Sequence, residues 1–163
     1  MERKLYIIRH GKSSWGNEGL DDIDRPLNGR GTRSAEMMAK RLMEKGLVPG
    51  LIYSSPAKRA LSTANIMLRT WGLDPSALHI HDALYMAYES EITGVVEQAP
   101  AEAESLAIFG HNPSFTHYAN TFLDNPLDNL PTAGVVVVSV ESDSWSKMGR
   151  KHVRGSYVDI PKR

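Results

Sequence analysis

No cysteine occurs among the 163 residues, which removes disulfides, thiolate metal ligands and cysteine nucleophiles from consideration. Long apolar runs are also missing. The N-terminal "MERKLYIIRHG" has only four apolar residues in a row before Arg9, too few for a signal-peptide core, and no other stretch approaches bilayer-spanning length. Charge of one sign is not in excess either, since 19 Lys and Arg balance 19 Asp and Glu. A general pull toward nucleic acid or an anionic membrane is therefore not expected, and any positive field must be local. There is no internal repeat, linker or low-complexity tract. A chain of this length can close one core without metal or disulfide staples. The expectation is a single domain over residues 1–163, cytoplasmic and monomeric, with no nucleic acid or membrane partner.

What is present is an alternation of short apolar runs and helical periodicities. Lys4 to Ile8 reads as a buried strand, and Ser13 to Arg30, rich in Gly, Asp, Asn and Pro, as a loop. Ala35, Met38, Ala39 and Leu42 recur at helical spacing until Gly46 offers a stop. "LIYSS" reads as a second strand ended by Pro56, followed by a helix with Ala60, Leu61, Ala64, Met67, Leu68 and Trp71 on one face. A weaker strand is expected over Leu78 to Leu84, then a helix with Ile92, Val95 and Val96 inward. "SLAIFGHN" repeats the opening pattern, and Pro113 leads into a helix carrying Phe115, Tyr118, Ala119 and Phe122. "VVVVSV" is the strongest strand, with a hairpin expected to continue from Trp145 toward Val153. Strand and helix alternate, so the expected fold class is α/β, a three-layer sandwich with a mainly parallel sheet and helices on both faces.

In such a sheet, ligands bind beyond the carboxyl ends of the strands. Arg9-His10, Ser54-Ser55 with nearby Arg59, and Gly110-His111-Asn112 each follow an expected strand. Three distant segments thus deliver two arginines and two histidines to one edge. Guanidinium matches phosphate oxygens with a planar fork and stays charged, so phosphate is the expected guest. Neighbouring cations disfavour a protonated histidine, which populates the neutral, nucleophilic form. On this reading alone, either His10 or His111 attacks phosphorus while the other donates a hydrogen bond.

These residues carry a resemblance. "RHG" at Arg9 to Gly11, "SSPAKRALSTA" from Ser54 to Ala64 and "GHN" from Gly110 to Asn112 stand in the order of the three signatures of the histidine phosphatase superfamily. "RHGKS", "DRPLNGRG" from Asp24 to Gly31 and the short chain are similar to its SixA-type phosphohistidine phosphatases. The resemblance implies a phosphoglycerate mutase-like fold and a phosphorylated His10. It also implies that Arg9 and Arg59 clamp the phosphoryl group and that His111 completes the pocket. Ser13 and Asn17 are candidates for further hydrogen bonds to phosphate, and Gly11 and Asn112 are further candidates for substrate binding. Ser62 stands where the family's second signature more often carries glutamine.

The family's phosphomonoesterase branch places a glutamate soon after the third strand to protonate a leaving alkoxide. Met86 falls near that position here, with Glu89 and Glu91 close by. Absence of that acid suits a phosphoramidate, because imidazole, with a conjugate-acid pKa of about 6.5, can depart as a neutral base. The expectation is a phosphatase acting on a phosphohistidine-bearing protein through phosphorylated His10, with inorganic phosphate as product and no metal or other cofactor. Two competitors are a phosphatase of small phosphomonoesters using Glu89 or Glu91, and a phosphate-dependent binding module without catalysis.

Other motifs read as structural. "GKSS" fails as a P-loop because Tyr6 stands where a glycine is needed. His79 and His81 alternate on a strand face with no third metal ligand in sight. Asp21, Asp22 and Asp24 lack the glycine and glutamate of a calcium loop and read as solvated. His117 and His152 are expected in core or surface roles, the Met37, Met38 and Met43 cluster as core filling, and Lys12 either at the pocket mouth or as a plain surface residue.

Overall fold

The computed structural model describes residues 1–16 and 19–162. Six strands form one sheet in the order β3-β2-β4-β1-β5-β6. They are β1 (Glu2–Arg9), β2 (Leu51–Ser54), β3 (Leu78–Ile80), β4 (Ser105–Gly110), β5 (Val135–Glu141) and β6 (Val153–Asp159). β1, β2, β3 and β4 pair in parallel, whereas β5 pairs antiparallel with both β1 and β6. The sheet is therefore mainly parallel, with β5 the one reversed strand.

Side chains alternate across a strand, and the core divides accordingly. Tyr6, Ile8, Ala107, Phe109, Val135 and Val137 face one layer with Met38, Leu42, Met67 and Trp71 of α1 (Gly29–Glu44) and α2 (Lys58–Trp71). Leu5, Ile7, Leu106, Ile108, Val136 and Val138 face the other, against Ile92 and Val96 of α3 (Glu89–Glu97) and Phe115 and Tyr118 of α4 (Ser114–Asn120). This is the expected three-layer α/β sandwich.

The loop expected over Ser13 to Arg30 ends earlier. Asn28 caps α1 by accepting from the Gly31 backbone N–H, so Gly29 and Arg30 are already helical; such a cap contributes about 1 kcal/mol. The rest of the loop is held by a bridge between Ser13 and Leu27 and by a 3-10 turn at Asp22–Asp24. β3 is shorter than expected, because the chain turns into a 3-10 helix at Asp82–Leu84 that buries Leu84. α4 stops at Asn120, and Phe122 packs into the same core from beyond its end.

The hairpin expected from Trp145 toward Val153 is displaced. Trp145 is buried, donates from its indole N–H to the Ala103 carbonyl and lies in a 3-10 turn, so the returning strand begins only at Val153. Beneath Trp145, the buried Arg3 guanidinium donates to the carbonyls of Ala101, Ala103, Ser142 and Asp143.

The order β2-β4-β1 sets the site. Arg9 pairs with Gly110 and Ser54 with Phe109, so the residues after these strands emerge side by side. His10 N–H donates to the Gly110 carbonyl and Ser55 N–H to Phe109. A Cβ on Gly110 would meet the Phe115 ring at 2.4 Å, and one on Gly11 would meet the Gly31 carbonyl at 2.8 Å. Both glycines are thus demanded by close packing at this edge.

Candidate functional site

Arg9, His10, Arg59 and His111 meet in one cavity of about 510 Å³, lined also by Lys12, Ser13, Trp15, Asp22, Arg25, Asn28, Asn112 and Thr132. The three strand ends therefore converge as expected. The His10 and His111 rings lie 5.2 Å apart between centroids.

His10 is fixed by its own turn. Its Nδ1 lies 2.6 Å from the Gly11 carbonyl oxygen, an acceptor only, so the neutral ring carries its proton on Nδ1 and leaves the Nε2 lone pair free. Gly11 N–H in turn donates to Thr63 Oγ1, and the Thr63 hydroxyl donates to the Arg59 carbonyl. Thr63 therefore couples the end of β1 to the first turn of α2. His111 Nε2 shares a hydrogen bond with Ser55 Oγ at 2.8 Å.

Burial is the main influence on both rings. It pushes the His10 pKa down to about 4, with Arg9, Arg59 and Arg25 adding to the effect and the Gly11 carbonyl opposing it. Burial likewise pushes His111 down to about 3, aided by His10, Arg59 and Arg9 and opposed by Asp22. The neighbouring cations favour the neutral form, as expected, but desolvation is the larger cause.

The arginines leave donors unused. Arg9 Nη1 donates to the Leu130 carbonyl and Arg25 Nη2 to Ser13 Oγ. Arg59 Nη1 and Nη2 donate to the backbone carbonyl and Oδ2 of Asp22. Among the described residues, the buried side-chain nitrogens and oxygens without a partner are Arg9 Nε, Arg25 Nε and Nη1, Arg59 Nε and His111 Nδ1. All belong to residues that line this one cavity. Buried polar groups are nearly always satisfied, so their concentration here marks a place for a ligand rich in acceptors, which is what a phosphoryl group offers.

Two candidates for substrate contact are used otherwise. Asn112 gives its amide N–H groups to Asn129 Oδ1 and the Leu130 carbonyl, and its oxygen accepts from the Thr116 backbone N–H and hydroxyl. All four of its hydrogen-bonding positions are spent, two on the loop before β5 and two on Thr116 of α4, and none remains for a ligand. Gly11 is committed in the same way, its carbonyl to His10 and its N–H to Thr63. Ser13 Oγ lines the cavity but reaches it as an acceptor for Arg25. Asn17 lies outside the described residues.

Sequence reasoning missed Arg25, although it stands in the quoted "DRPLNGRG" stretch. It lines the cavity, its guanidinium lies 3.4 Å from the Trp15 ring centroid, and its Nε and Nη1 make no hydrogen bond. Asp22, read from sequence as solvated, accepts from both Arg59 and the Tyr85 hydroxyl. No spacing rule ties Asp22 to Tyr85, 63 residues away. Glu91 accepts from the Tyr88 N–H as a helix cap, and Glu89 lines a groove beside the cavity. Met86, near the position of the missing acid, is 78% exposed. His79 and His81 pack around Tyr53, and no third metal-ligating side chain joins them among the described residues.

Comparisons with known proteins agree with the geometry. A family model described as "Histidine phosphatase superfamily (branch 1)" matches residues 5–85. A solved structure of the putative phosphohistidine phosphatase SixA from Agrobacterium tumefaciens superposes with a TM-score of 0.75 at 29% identity, covering 83% of this chain and 90% of that one. The corresponding protein from Nakamurella multipartitia gives a TM-score of 0.80 at 21% identity, covering 99% and 97%, and shows the shared fold. The 2,3-bisphosphoglycerate-dependent phosphoglycerate mutase of Bifidobacterium longum is 37% identical over 70 residues, which span 42% of this chain but only 28% of the mutase. With the three signatures gathered on one sheet edge of SixA-like architecture, the chain belongs to the histidine phosphatase superfamily, a family of phosphatases and mutases that act on phosphoric groups.

Proposed function

We propose that the protein is a phosphohistidine phosphatase that removes phosphate from a histidine of a phosphoprotein through a covalent intermediate on His10. The observation that carries this reading is the set of orphaned donors from Arg9, Arg25, Arg59 and His111 around one cavity that also holds His10. The Nε2 lone pair of His10 attacks phosphorus in line, the bond from phosphorus to the substrate nitrogen breaks, and its electron pair leaves with that nitrogen. Water then attacks phospho-His10, inorganic phosphate departs, and the phosphorus–Nε2 pair returns to the ring. Arg9, Arg59 and Arg25 neutralise charge on the equatorial oxygens in both transition states. If the Ser55 hydroxyl donates to His111 Nε2, the proton of His111 sits on Nδ1, the unpartnered atom, as a further donor. The arginines supply the charge stabilisation, and the mechanism calls on no metal. The reading includes a single domain that works as a cytoplasmic monomer on a protein-borne side chain.

The competing reading, a phosphatase of small phosphomonoesters, draws on Glu89, which lines the neighbouring groove. Initial rates on a phosphohistidine protein and on a panel of sugar phosphates separate the two. The phosphohistidine protein is expected to turn over faster and to leave acid-labile phosphate trapped on His10; faster turnover of the monoesters would reject the proposal.

A further inference from the structure

A neutral phosphoimidazole ring can leave only as a strongly basic imidazolate. Protonated on its far nitrogen, the same ring leaves as neutral imidazole. Cleavage without a general acid therefore requires a group that favours the protonated ring. The cationic cavity by itself opposes that protonation, because Arg9, Arg25 and Arg59 repel a second positive charge.

Two carboxylates border this space, but Glu89 lines only an adjoining groove, whereas Asp22 also lines the cavity that holds His10. Asp22 belongs both to the cavity of His10 and to an adjoining groove of about 550 Å³ lined by Tyr85, Met86, Ala87, Tyr88, Pro113 and His117. Arg59, His111 and Asn112 complete the shared wall. Asp22 Oδ2 is occupied, accepting from Arg59 Nη2 at 3.0 Å and from the Tyr85 hydroxyl at 2.7 Å. Oδ1 accepts no hydrogen bond among the described residues, though it forms a longer ion pair with Arg25 Nε at 3.7 Å. The Asp22 side chain is 50% exposed and lines both the cavity and the groove, which leaves it open to a ligand that spans the two. The groups that face the carboxylate are Arg59 from α2, Tyr85 from the turn after β3, His111 from the end of β4 and Arg25 from its own loop. The Tyr85 hydrogen bond, with Arg59 and Arg25, holds the carboxyl below its ordinary range and keeps it ionised.

We propose that the groove is the leaving-group subsite and that Asp22 Oδ1 accepts the N–H of a protonated phosphoimidazole ring, selecting nitrogen leaving groups over alkoxides. This rests on the phosphatase reading above and adds to it the residue that replaces the missing acid. With His10 attacking, the phosphorus–nitrogen pair becomes a lone pair on the departing nitrogen. The proton held against Asp22 stays on the far nitrogen, and the product is neutral imidazole. The apolar and aromatic lining suits a flat ring. An acidic or bisphosphorylated leaving group would meet the ionised carboxylate.

Asp22→Asn tests this, because the amide oxygen can still accept from Arg59 and Tyr85 while the negative charge is lost. The probes are phosphoimidazole, which needs a protonated leaving group, and p-nitrophenyl phosphate, which does not. The expected result is a fall in kcat on phosphoimidazole that exceeds the fall on p-nitrophenyl phosphate by roughly 10- to 100-fold, the worth of one charge-assisted hydrogen bond; the smaller, shared loss reads the loosened hold on Arg59. In the unaltered protein, the basic limb of kcat for phosphoimidazole should lie above the ring's own titration in free solution and should be missing for the nitrophenyl ester. Equal losses on both probes, or a basic limb that coincides with the free titration, would overturn the role of Asp22 and leave the phosphatase reading standing. An unaltered protein active on the nitrophenyl ester but inert toward phosphoimidazole would reject the phosphatase reading, and this inference with it.

Discussion

His10 Nδ1 and the carbonyl oxygen of Gly11 lie 2.6 Å apart, and this contact between neighbours decides which nitrogen of the ring can react. His10→Ala removes that nitrogen. It takes little from the core, which is built from the strands and helices behind the site. The variant should lose turnover to the uncatalysed level and trap no acid-labile phosphate. Its denaturant midpoint should stay near that of the parent chain. Retained turnover, measured by phosphate release, would remove His10 from the mechanism.

The lowered histidine pKa values set a pH dependence whose sign can be worked out. With His10 near 4, its nucleophilic form persists down to about pH 4, and kcat/KM should lose activity on the acid side there and not near 6.5. Stability moves in the same direction. Between about pH 6.5 and 4 the unfolded chain binds protons at His10 and His111 that the folded chain refuses, so stability is full above pH 6.5 and declines as pH falls through that window. Thermal melts from pH 7.5 to 4.5 should show a falling Tm, with a shallower slope in His111→Asn. A Tm slope unchanged by that substitution would contradict the burial of His111 in its neutral form.

Arg25 lines the cavity with two nitrogens that make no hydrogen bond and helps hold the His10 pKa down. Arg25→Met should reduce kcat/KM roughly 10- to 100-fold, as expected for one charge-assisted hydrogen bond to the phosphoryl group. The acid limb of the pH profile should move upward. Arg25→Lys should restore the charge effect on that limb better than it restores kcat/KM, because an ammonium lacks the planar fork. Steady-state kinetics across pH in the two variants checks both parts.

The legible part of this protein is the part governed by strand ends. Apolar runs that stop on Arg9-His10, Ser54-Ser55 and Gly110-His111 predict convergence because a parallel sheet puts the ends of its strands on one edge. The pairing of Arg9 with Gly110 and of Ser54 with Phe109 realises it. Less legible were groups whose partners are set by loop conformation. Asp22 reads as solvated until the turn at Asp22–Asp24 brings it against Arg59 and Tyr85. Asn112 has the chemistry of a ligand contact, but the path of the 129–130 loop consumes its amide. The returning strand of the hairpin is expected too early, from Trp145 toward Val153, because β6 carries little buried apolar alternation to mark where it begins.

Arg3 tests the other end of the sheet, far from the chemistry. Its buried guanidinium has four backbone carbonyls as partners and, among the described residues, no carboxylate, so hydrogen bonds and the face of the Trp145 ring compensate its desolvation. Arg3→Met keeps much of the volume but takes their donor from the carbonyls of Ala101, Ser142 and Asp143, while that of Ala103 keeps the Trp145 indole N–H. Leaving such groups unsatisfied costs on the order of 1 to 3 kcal/mol apiece, less what water recovers. A net loss of about 3 kcal/mol in denaturant unfolding is expected. At a permissive temperature, where the variant stays folded, kcat/KM should be unchanged, since β1 still delivers Arg9 and His10 to the opposite edge. A stability change under about 1 kcal/mol would mean that these carbonyls find water readily, and that Arg3 is an incidental occupant of the space beneath Trp145 and no anchor for it.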